Sequence, residues 1–196
     1  MKTFSSAVVT GASGFIGTHL CRVLEGRGVK DIHKIDIRAA VPVDIQKPFD
    51  IDGNFGENSV IFNLAAVHRT PGHPDREYFE TNMPGAKNVC DFAKKHGIKV
   101  IVFTSSISPY GASEFLKTEE TLPTPNTPYG ISKLVAEQIH KEWAAESSEN
   151  FLTILRPGIV FGKGENGNMT RLYKALKKHR FAYAGRKDTI KASIYV

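Results

Sequence analysis

The chain has 196 residues, which is enough for one domain, or for one domain and part of a second, and too few for a large multidomain enzyme. Hydrophobic residues make up 41% and charged residues 23%, which excludes a disordered or collagen-like protein. The net charge of +6 allows an anionic partner, and a small molecule that carries phosphate is favoured over nucleic acid because no zinc-finger spacing or aromatic-interleaved basic motif accompanies the charge. No secretory signal or apolar run of about 18 residues occurs, so we expect a cytoplasmic protein without membrane attachment.

Short runs of β-branched residues alternate with helical patterns, which predicts a doubly wound α/β fold with a parallel sheet. The strands are predicted at 7–10, 31–36, 59–65, 99–104 and 151–155. The helices are predicted at 15–25, 75–96, 127–146 and 169–179. Asp75 is the expected N-cap of the second helix, and Thr127 that of the third. Cys21 and Cys90 occupy apolar helical positions, so both are expected to be reduced core thiols.

A glycine-rich turn follows the first predicted strand and precedes the first helix. Gly11, Gly14 and Gly17 are spaced G-x-x-G-x-x-G, which differs from the older G-x-G-x-x-G dehydrogenase fingerprint. Glycines let the chain turn tightly and bring backbone N–H groups against a pyrophosphate at the helix N-terminus. A purely structural turn is the alternative, and the flanking strand and helix favour dinucleotide binding over it.

Asp36 ends the second predicted strand, 19 residues after Gly17. A carboxylate at this point accepts hydrogen bonds from the ribose hydroxyls of NAD and repels the 2'-phosphate of NADP, so the pattern favours NAD. Two alternatives stay open: Arg38 could meet a 2'-phosphate, and Asp36 could be only a turn residue at the strand end.

The pattern Y-x-x-x-K occurs three times, at 129–133, 173–177 and 183–187. Four-residue spacing places both side chains on one helix face, where a Lys ammonium can stabilise a phenolate and lower its pKa. Only the first pair opens a capped helix and follows a strand that ends in hydroxyl residues, at 104–106. We interpret the other two as part of a basic helix and a loop.

A metal site is not expected. Glu137 and His140, three residues apart, make the best pattern of metal ligands, but no second such pair accompanies them. We therefore interpret these two residues as part of a surface helix.

Several motifs follow one another in order along the chain. They are TGASGFIG at 10–17, Asp36, Asp44-Ile45, NLAA at 63–66, Asn82 with Gly85, TSSISPYG at 104–111, YGISK at 129–133 and LRP at 155–157. In this order they resemble the extended short-chain dehydrogenase/reductases, specifically the NAD-dependent epimerase/dehydratase group that includes UDP-glucose 4-epimerases. The resemblance implies a dinucleotide-binding Rossmann domain over 1–165 and the beginning of a smaller substrate lobe over 166–196. Because the family continues beyond this point, we expect the chain to be a truncated member.

The resemblance also implies a set of functional residues. Ser106, Tyr129 and Lys133 correspond to the catalytic residues of the family, and Ser106 and Lys191 to substrate contacts. NAD is the implied cofactor. The residues implied to bind it are Gly11, Ser13, Gly14, Phe15, Ile16, Gly17, Asp36, Asp44, Ile45, Leu64, Ala65, Ala66, Asn82, Tyr129 and Lys133.

By this resemblance the reaction is 4-epimerisation of a nucleotide diphospho-sugar through a 4-keto intermediate, by reversible hydride transfer. Ile107 and Ser108 stand where 4,6-dehydratases carry an Asp-Glu pair, which argues against dehydration. Ile159 stands where many epimerases have Asn, so a 4-keto reductase is the alternative. A dinucleotide-binding sensor is the non-enzymatic alternative, although such relatives usually lack the Tyr and Lys. The resemblance leaves a homodimer open.

Overall fold

The computed structural model describes residues 4–68, 72–182, 187–188 and 190–196. The chain divides into two compact units, Met1–Arg156 and Pro157–Val196. The first unit contains a sheet of five parallel strands and the three longest helices, and it carries almost all of the residues implied in function. The two units are described separately below.

The sheet of the first unit consists of β1 (Ser6–Thr10), β2 (Asp31–Ile35), β3 (Ser59–Asn63), β4 (Val100–Thr104) and β5 (Phe151–Leu155). Its strand order is β2-β1-β3-β4-β5, and each neighbouring pair is parallel. The chain goes to one side of β1 to make β2 and to the other side to make β3. The carboxyl ends of β1 and β3 therefore form a topological switch point, which is where ligands bind in open α/β sheets.

Three helices connect these strands: α1 (Phe15–Gly26), α2 (Asp75–Lys95) and α3 (Pro128–Ala145). Pro128 fits the first turn of α3 because it has no N–H to satisfy there, and the Thr127 hydroxyl accepts a hydrogen bond from Gly130 N at 3.1 Å. The expectation for α2 was wrong by one position. Pro74 is its N-cap, and Asp75 is the first helical residue, where its charge still favours the helix N-terminus.

The core lies between the sheet and its helices. Every residue of β1 is buried, as expected for a central strand covered on both faces. The largest core cluster includes Val8, Ile61, Ile101 and Trp143, with Cys90 packed among them. Cys21 and Cys90 are buried free thiols, as predicted, and burial raises the pKa of Cys90 to about 12.

The second unit contains two short parallel strands, β6 (Ile159–Phe161) and β7 (Ser193–Tyr195), and a helix, α4 (Asn168–Lys177). The rings of Phe161 and Tyr195 meet edge to face at 5.6 Å between centroids. The sequence did not predict β6 and β7, since three-residue strands carry too little periodicity to be recognised.

The predicted doubly wound α/β fold is confirmed, and the five strands and four helices predicted lie within about two residues of their observed ends. Across the part of the chain that the structure describes, no helix combines the length and the apolar character needed to cross a membrane.

Candidate active site

The glycine turn after β1 packs tightly against the end of β3. Gly11 has a φ of +69°, and a Cβ on it would lie 2.8 Å from Ala65 N. Gly17 is equally constrained, because its Cβ would lie 2.3 Å from Gly11 O. Gly14 is the N-cap of α1 and provides no side-chain acceptor for the first helical N–H groups. The turn therefore presents the free N–H groups at the start of α1, including those of Phe15 and Ile16, in a form suited to a pyrophosphate.

Asp36 lies directly after β2 and is bound to the glycine turn. Its Oδ2 accepts a hydrogen bond from Ser13 N at 3.0 Å, and its Oδ1 accepts from Arg38 N at 2.9 Å and from Arg38 Nε at 3.3 Å. The carboxylate is buried, whereas the Arg38 side chain is 65% exposed. The structure thus brings together the acid that favours NAD and the cation that could favour NADP.

Thr10 links the end of β1 to the segment that follows β3. Its hydroxyl donates to Asn63 Oδ1 at 2.7 Å and accepts from Leu64 N at 3.1 Å and from Ala65 N at 3.2 Å. Leu64, Ala65 and Ala66, which the resemblance implies bind the cofactor, therefore begin at a fixed position beside the glycine turn. Thr10 was part of the quoted glycine motif, but its role as this anchor was not predicted.

Asn82, predicted to bind the cofactor, joins three elements. Its amide pairs with the backbone of Val67, accepting from Val67 N at 2.9 Å and donating to Val67 O at 3.1 Å. It also donates to Ser132 Oγ on α3 at 2.9 Å. Since these contacts occupy the amide, its visible role is to fix the segment after β3 against α2 and α3.

The Asp44-Ile45 pair lies between β2 and β3. Asp44 Oδ1 accepts a hydrogen bond from Gln46 N at 2.9 Å, which forms a local turn. Ile45 is a core residue whose Cδ1 would be 2.5 Å from a Cβ on Gly85. Asn88 donates to Ile45 O at 2.8 Å. These contacts fix Ile45 against α2.

Ser106 and Tyr129 meet beyond the carboxyl end of β4. The Ser106 hydroxyl contacts Ser108 Oγ at 3.0 Å and accepts from Ser108 N at 3.1 Å. Burial raises the pKa of Tyr129, a hydrogen bond with Ser106 opposes that rise, and the neighbouring Tyr78 adds to it. The net direction is upward because desolvation of the phenolate is the largest effect.

Lys133 lies one turn after Tyr129 on α3 and is 2% exposed. Its Nζ donates to Thr104 O at 2.6 Å and lies 4.3 Å from the centroid of the Phe103 ring. Burial lowers the pKa of Lys133 to about 7, and the charge of Glu137 opposes that fall. Lys133 was expected to lower the pKa of Tyr129. Among the described residues, the neighbours that change this pKa are Ser106 and Tyr78, and Lys133 is not one of them.

The interpretation of Glu137 and His140 as surface residues was wrong, because each is 0% exposed. Glu137 binds Ser105 and Arg156, while His140 Nε2 accepts a hydrogen bond from Asn63 Nδ2 at 3.2 Å. Their spacing from Lys133, four and seven residues, could have indicated one buried helix face. The residues that the structure describes contain no cluster of three or more metal-ligand side chains.

The other Y-x-x-x-K pairs differ from the first in their surroundings. Tyr173 and Lys177 are exposed on α4, in agreement with the basic helix that was expected. Tyr183 lies outside the described residues. Lys191 is exposed in the second unit, just before β7.

Comparison with known proteins finds relatives among epimerases and dehydrogenases. A protein from Escherichia coli O157:H7 described as N-acetyl-alpha-D-glucosaminyl-diphospho-ditrans,octacis-undecaprenol 4-epimerase is 30% identical over 197 residues, covering 97% of this chain and 60% of the relative. The decarboxylating sterol-4-alpha-carboxylate 3-dehydrogenase of Saccharomyces cerevisiae is 32% identical, covering 84% of this chain and 54% of the relative. The chain thus spans little more than half of the length of these relatives.

A solved structure described as MoeE5 in complex with UDP-glucose and NAD is 27% identical to this chain. It superposes with a TM-score of 0.77 and covers 97% of this chain and 67% of that one. The model of the family described as NAD dependent epimerase/dehydratase matches residues 7–188. This match covers most of the chain, which therefore belongs to the NAD dependent epimerase/dehydratase family.

Proposed function

We propose that this chain forms the cofactor-binding part of an NAD-dependent nucleotide-sugar 4-epimerase. The observation that carries the proposal is the meeting of three groups beyond the carboxyl end of β4: Ser106 lies close enough to Tyr129 to lower its pKa, and Lys133 is held by Thr104 O. The 4-epimerase activity named for the Escherichia coli relative supports the same reaction class. A 4-keto reductase uses the same three residues and is the alternative.

NAD fits the residues of the first unit. A Cβ on Gly11 would lie 2.8 Å from Ala65 N and one on Gly17 would lie 2.3 Å from Gly11 O, so only glycine allows the tight turn before α1, and Asp36 is hydrogen-bonded to this turn beside the start of the helix. Bound there, NAD would supply a reversible hydride acceptor. The residues proposed to hold it are Gly11, Ser13, Gly14, Phe15, Ile16, Gly17, Asp36, Asp44, Ile45, Leu64, Ala65, Ala66, Asn82, Tyr129 and Lys133.

In this mechanism, Tyr129 as a phenolate takes the proton of the sugar 4-hydroxyl while hydride leaves C4, and it returns the proton when hydride adds to the opposite face of the ketone. Ser106 donates a hydrogen bond to the reacting oxygen. Because burial raises the Tyr129 pKa, the site needs a positive charge to ionise the phenol. Lys133, on the same face of α3, would supply that charge and would also help to hold NAD.

Two chemical classes of substrate are candidates. A nucleotide diphospho-sugar is the first, supported by the UDP-glucose in the MoeE5 structure. A diphospho-sugar on a polyprenol is the second, since the Escherichia coli relative that covers 97% of this chain is named for one. Both share a diphosphate, which Lys191 is proposed to contact from the substrate lobe that begins within 166–196.

The test compares two Tyr→Phe variants of the full-length protein. Tyr129→Phe should lower the turnover of UDP-glucose or UDP-N-acetylglucosamine at least 100-fold and should still bind NAD, because it removes the hydroxyl that moves the proton and keeps the other proposed cofactor contacts. Tyr173→Phe, at an exposed Tyr with the same Y-x-x-x-K spacing, is the matched control and should retain full turnover. Turnover of Tyr129→Phe within tenfold of the parent would contradict the assignment, and NAD binding without any sugar turnover in the parent would favour a sensor.

Two finer expectations belong to the same proposal. A cytoplasmic location fits the two free thiols, Cys21 and Cys90, and cell fractionation tests it. A homodimer is tested by sedimentation of the full-length protein.

A further inference from the structure

One face of α3 carries three ionisable side chains against the sheet. Lys133, Glu137 and His140 follow one another at i, i+4 and i+7, and each is 2% exposed or less. The mechanism above uses only Lys133. A fully buried carboxylate is rare in proteins unless other groups compensate its charge, so the contacts of Glu137 indicate what it does.

Glu137 binds the residues that directly follow two neighbouring strands. Its Oε1 accepts from Ser105 Oγ at 2.5 Å and from Arg156 Nε at 2.9 Å, and its Oε2 accepts from Arg156 Nη2 at 2.5 Å. The two Arg156 bonds form the parallel fork in which guanidinium and carboxylate match best. Ser105 N also donates to Leu155 O at 2.7 Å. The carboxylate therefore ties α3 to the ends of β4 and β5 at one point.

The segment tied in this way carries the proposed catalytic groups. Thr104, just before Ser105, provides the carbonyl that holds Lys133 Nζ at 2.6 Å. Ser106, just after Ser105, is the neighbour that lowers the pKa of Tyr129. Movement of Ser105 would therefore displace both the partner of the ammonium and the partner of the phenol.

We propose that Glu137 is a positioning residue of the active site: it fixes the segment 104–106 through Ser105 and Arg156, and it places a negative charge one helical turn from Lys133. This inference rests on the proposed function only in the role that it gives to Lys133 and Ser106 in turnover. The burial and the contacts of Glu137 stand without it.

The charges around Lys133 agree with this role. Burial lowers the pKa of Lys133 to about 7, and Glu137 raises it. His140 is neutral near pH 7 because burial lowers its pKa to about 4, and it adds no charge there. Among the described residues, the other ionisable groups of this region are Tyr129 on α3, Tyr78 on α2, Arg156, which is paired with Glu137, and Tyr110, whose ring lies under Arg156. Glu137 is thus the negative charge that opposes the desolvation of Lys133.

The first experiment measures the protonation of Lys133 through protein stability, without using enzymatic activity. The free energy of unfolding is measured from pH 5 to pH 10 in the parent, in Glu137→Gln and in Lys133→Met. In the parent, stability should rise with pH above about 7, because the unfolded chain keeps the lysine proton that the folded chain has lost. Lys133→Met should lack this rise in stability, which would assign the rise to Lys133. In Glu137→Gln the rise in stability should begin at least one pH unit lower than in the parent.

The second experiment follows turnover of UDP-glucose in the full-length protein over the same pH range. At pH 8 the kcat/KM of Glu137→Gln should be at least tenfold below the parent, and at pH 5.5 within threefold of it, because its lysine loses the proton at lower pH. His140→Gln alters the same helix face without removing a charge, and it should keep the parent's pH profile.

The outcomes separate the two proposals. An unchanged onset of the stability rise in Glu137→Gln, or a loss of kcat/KM equal at every pH, would assign Glu137 a purely structural role and overturn the inference. A parent without turnover of UDP-glucose would contradict the proposed function, and the stability measurement would still decide the inference. If Glu137→Gln does not fold, the double variant Glu137→Gln/Arg156→Met leaves no unpaired charge, and the onset of its stability rise must still lie below the parent's.

Discussion

His140 makes the stability of the first unit sensitive to mild acid. Its Nδ1 donates to Ala136 O at 2.7 Å, its Nε2 accepts from Asn63, and its ring stacks on Phe103 with centroids 4.2 Å apart. A second proton would have to enter at Nε2, where Asn63 already donates. Burial is the main cause that lowers the pKa of His140 from 6.5 to about 4, and the charge of Lys133 adds to the effect.

The sign of the effect follows from proton linkage. The folded pKa lies below the unfolded one, so the unfolded chain binds the proton first. The stabilisation is complete above pH 6.5 and is lost as the pH falls towards 4. Between pH 7 and pH 5 the loss amounts to about 2 kcal/mol, and the full shift corresponds to about 3.4 kcal/mol.

Urea unfolding at pH 7 and pH 5 measures this loss. Trp143 is the only tryptophan, it is buried on the same helix, and its fluorescence therefore reports on the first unit. His140→Gln keeps a donor and an acceptor but cannot be protonated, so its loss between the two pH values should be about 2 kcal/mol smaller than the parent's. His68→Gln, at an exposed histidine, should behave as the parent does. Equal losses in His140→Gln and the parent would refute the reasoning.

Two further predictions concern the cofactor. Asp36→Ala should narrow the difference between NAD and NADP affinity in calorimetry, because it removes the ribose acceptor and the charge that repels a 2'-phosphate. Equal affinities for NAD and NADP in the parent would show that Arg38 dominates the choice of cofactor instead. Gly17→Ala should abolish measurable NAD binding, since its Cβ would lie 2.3 Å from a backbone oxygen of the turn. Gly26→Ala is the control and should leave the NAD affinity unchanged, because nothing lies within 4 Å of its Cβ. NAD binding by both variants would refute the role of the glycine turn in NAD binding.

The fold was largely predictable from the sequence because its main signals are local. The five sheet strands are short β-branched runs, and Thr127-Pro128 marks the start of α3 in the sequence itself. The pair β6 and β7 was missed because Ile159 pairs with Ser193, and nothing near either residue encodes that partner.

The places of Gly11, Tyr129 and Lys133 in the fold were predictable, because each belongs to a local motif. The site was not predictable where burial depends on distant residues. Charged side chains usually lie on the surface, so Glu137 and His140 were assigned there. Their actual partners, Arg156 and Asn63, lie 19 and 77 residues away and are brought to α3 only by the completed sheet.

The order of the strands also determines how the chain has to fold. Neighbouring strands are far apart in sequence, since Ser6 pairs with Asp31 and with Ser59, and Val100 pairs with Phe151. A parallel sheet has no hairpin, so each pairing requires the closure of a long loop before it gains contacts, which slows folding. During folding, both edges of β1 remain exposed to other chains until β2 and β3 have paired with it. Refolding yield should therefore depend on protein concentration, with β1 as the segment through which chains associate.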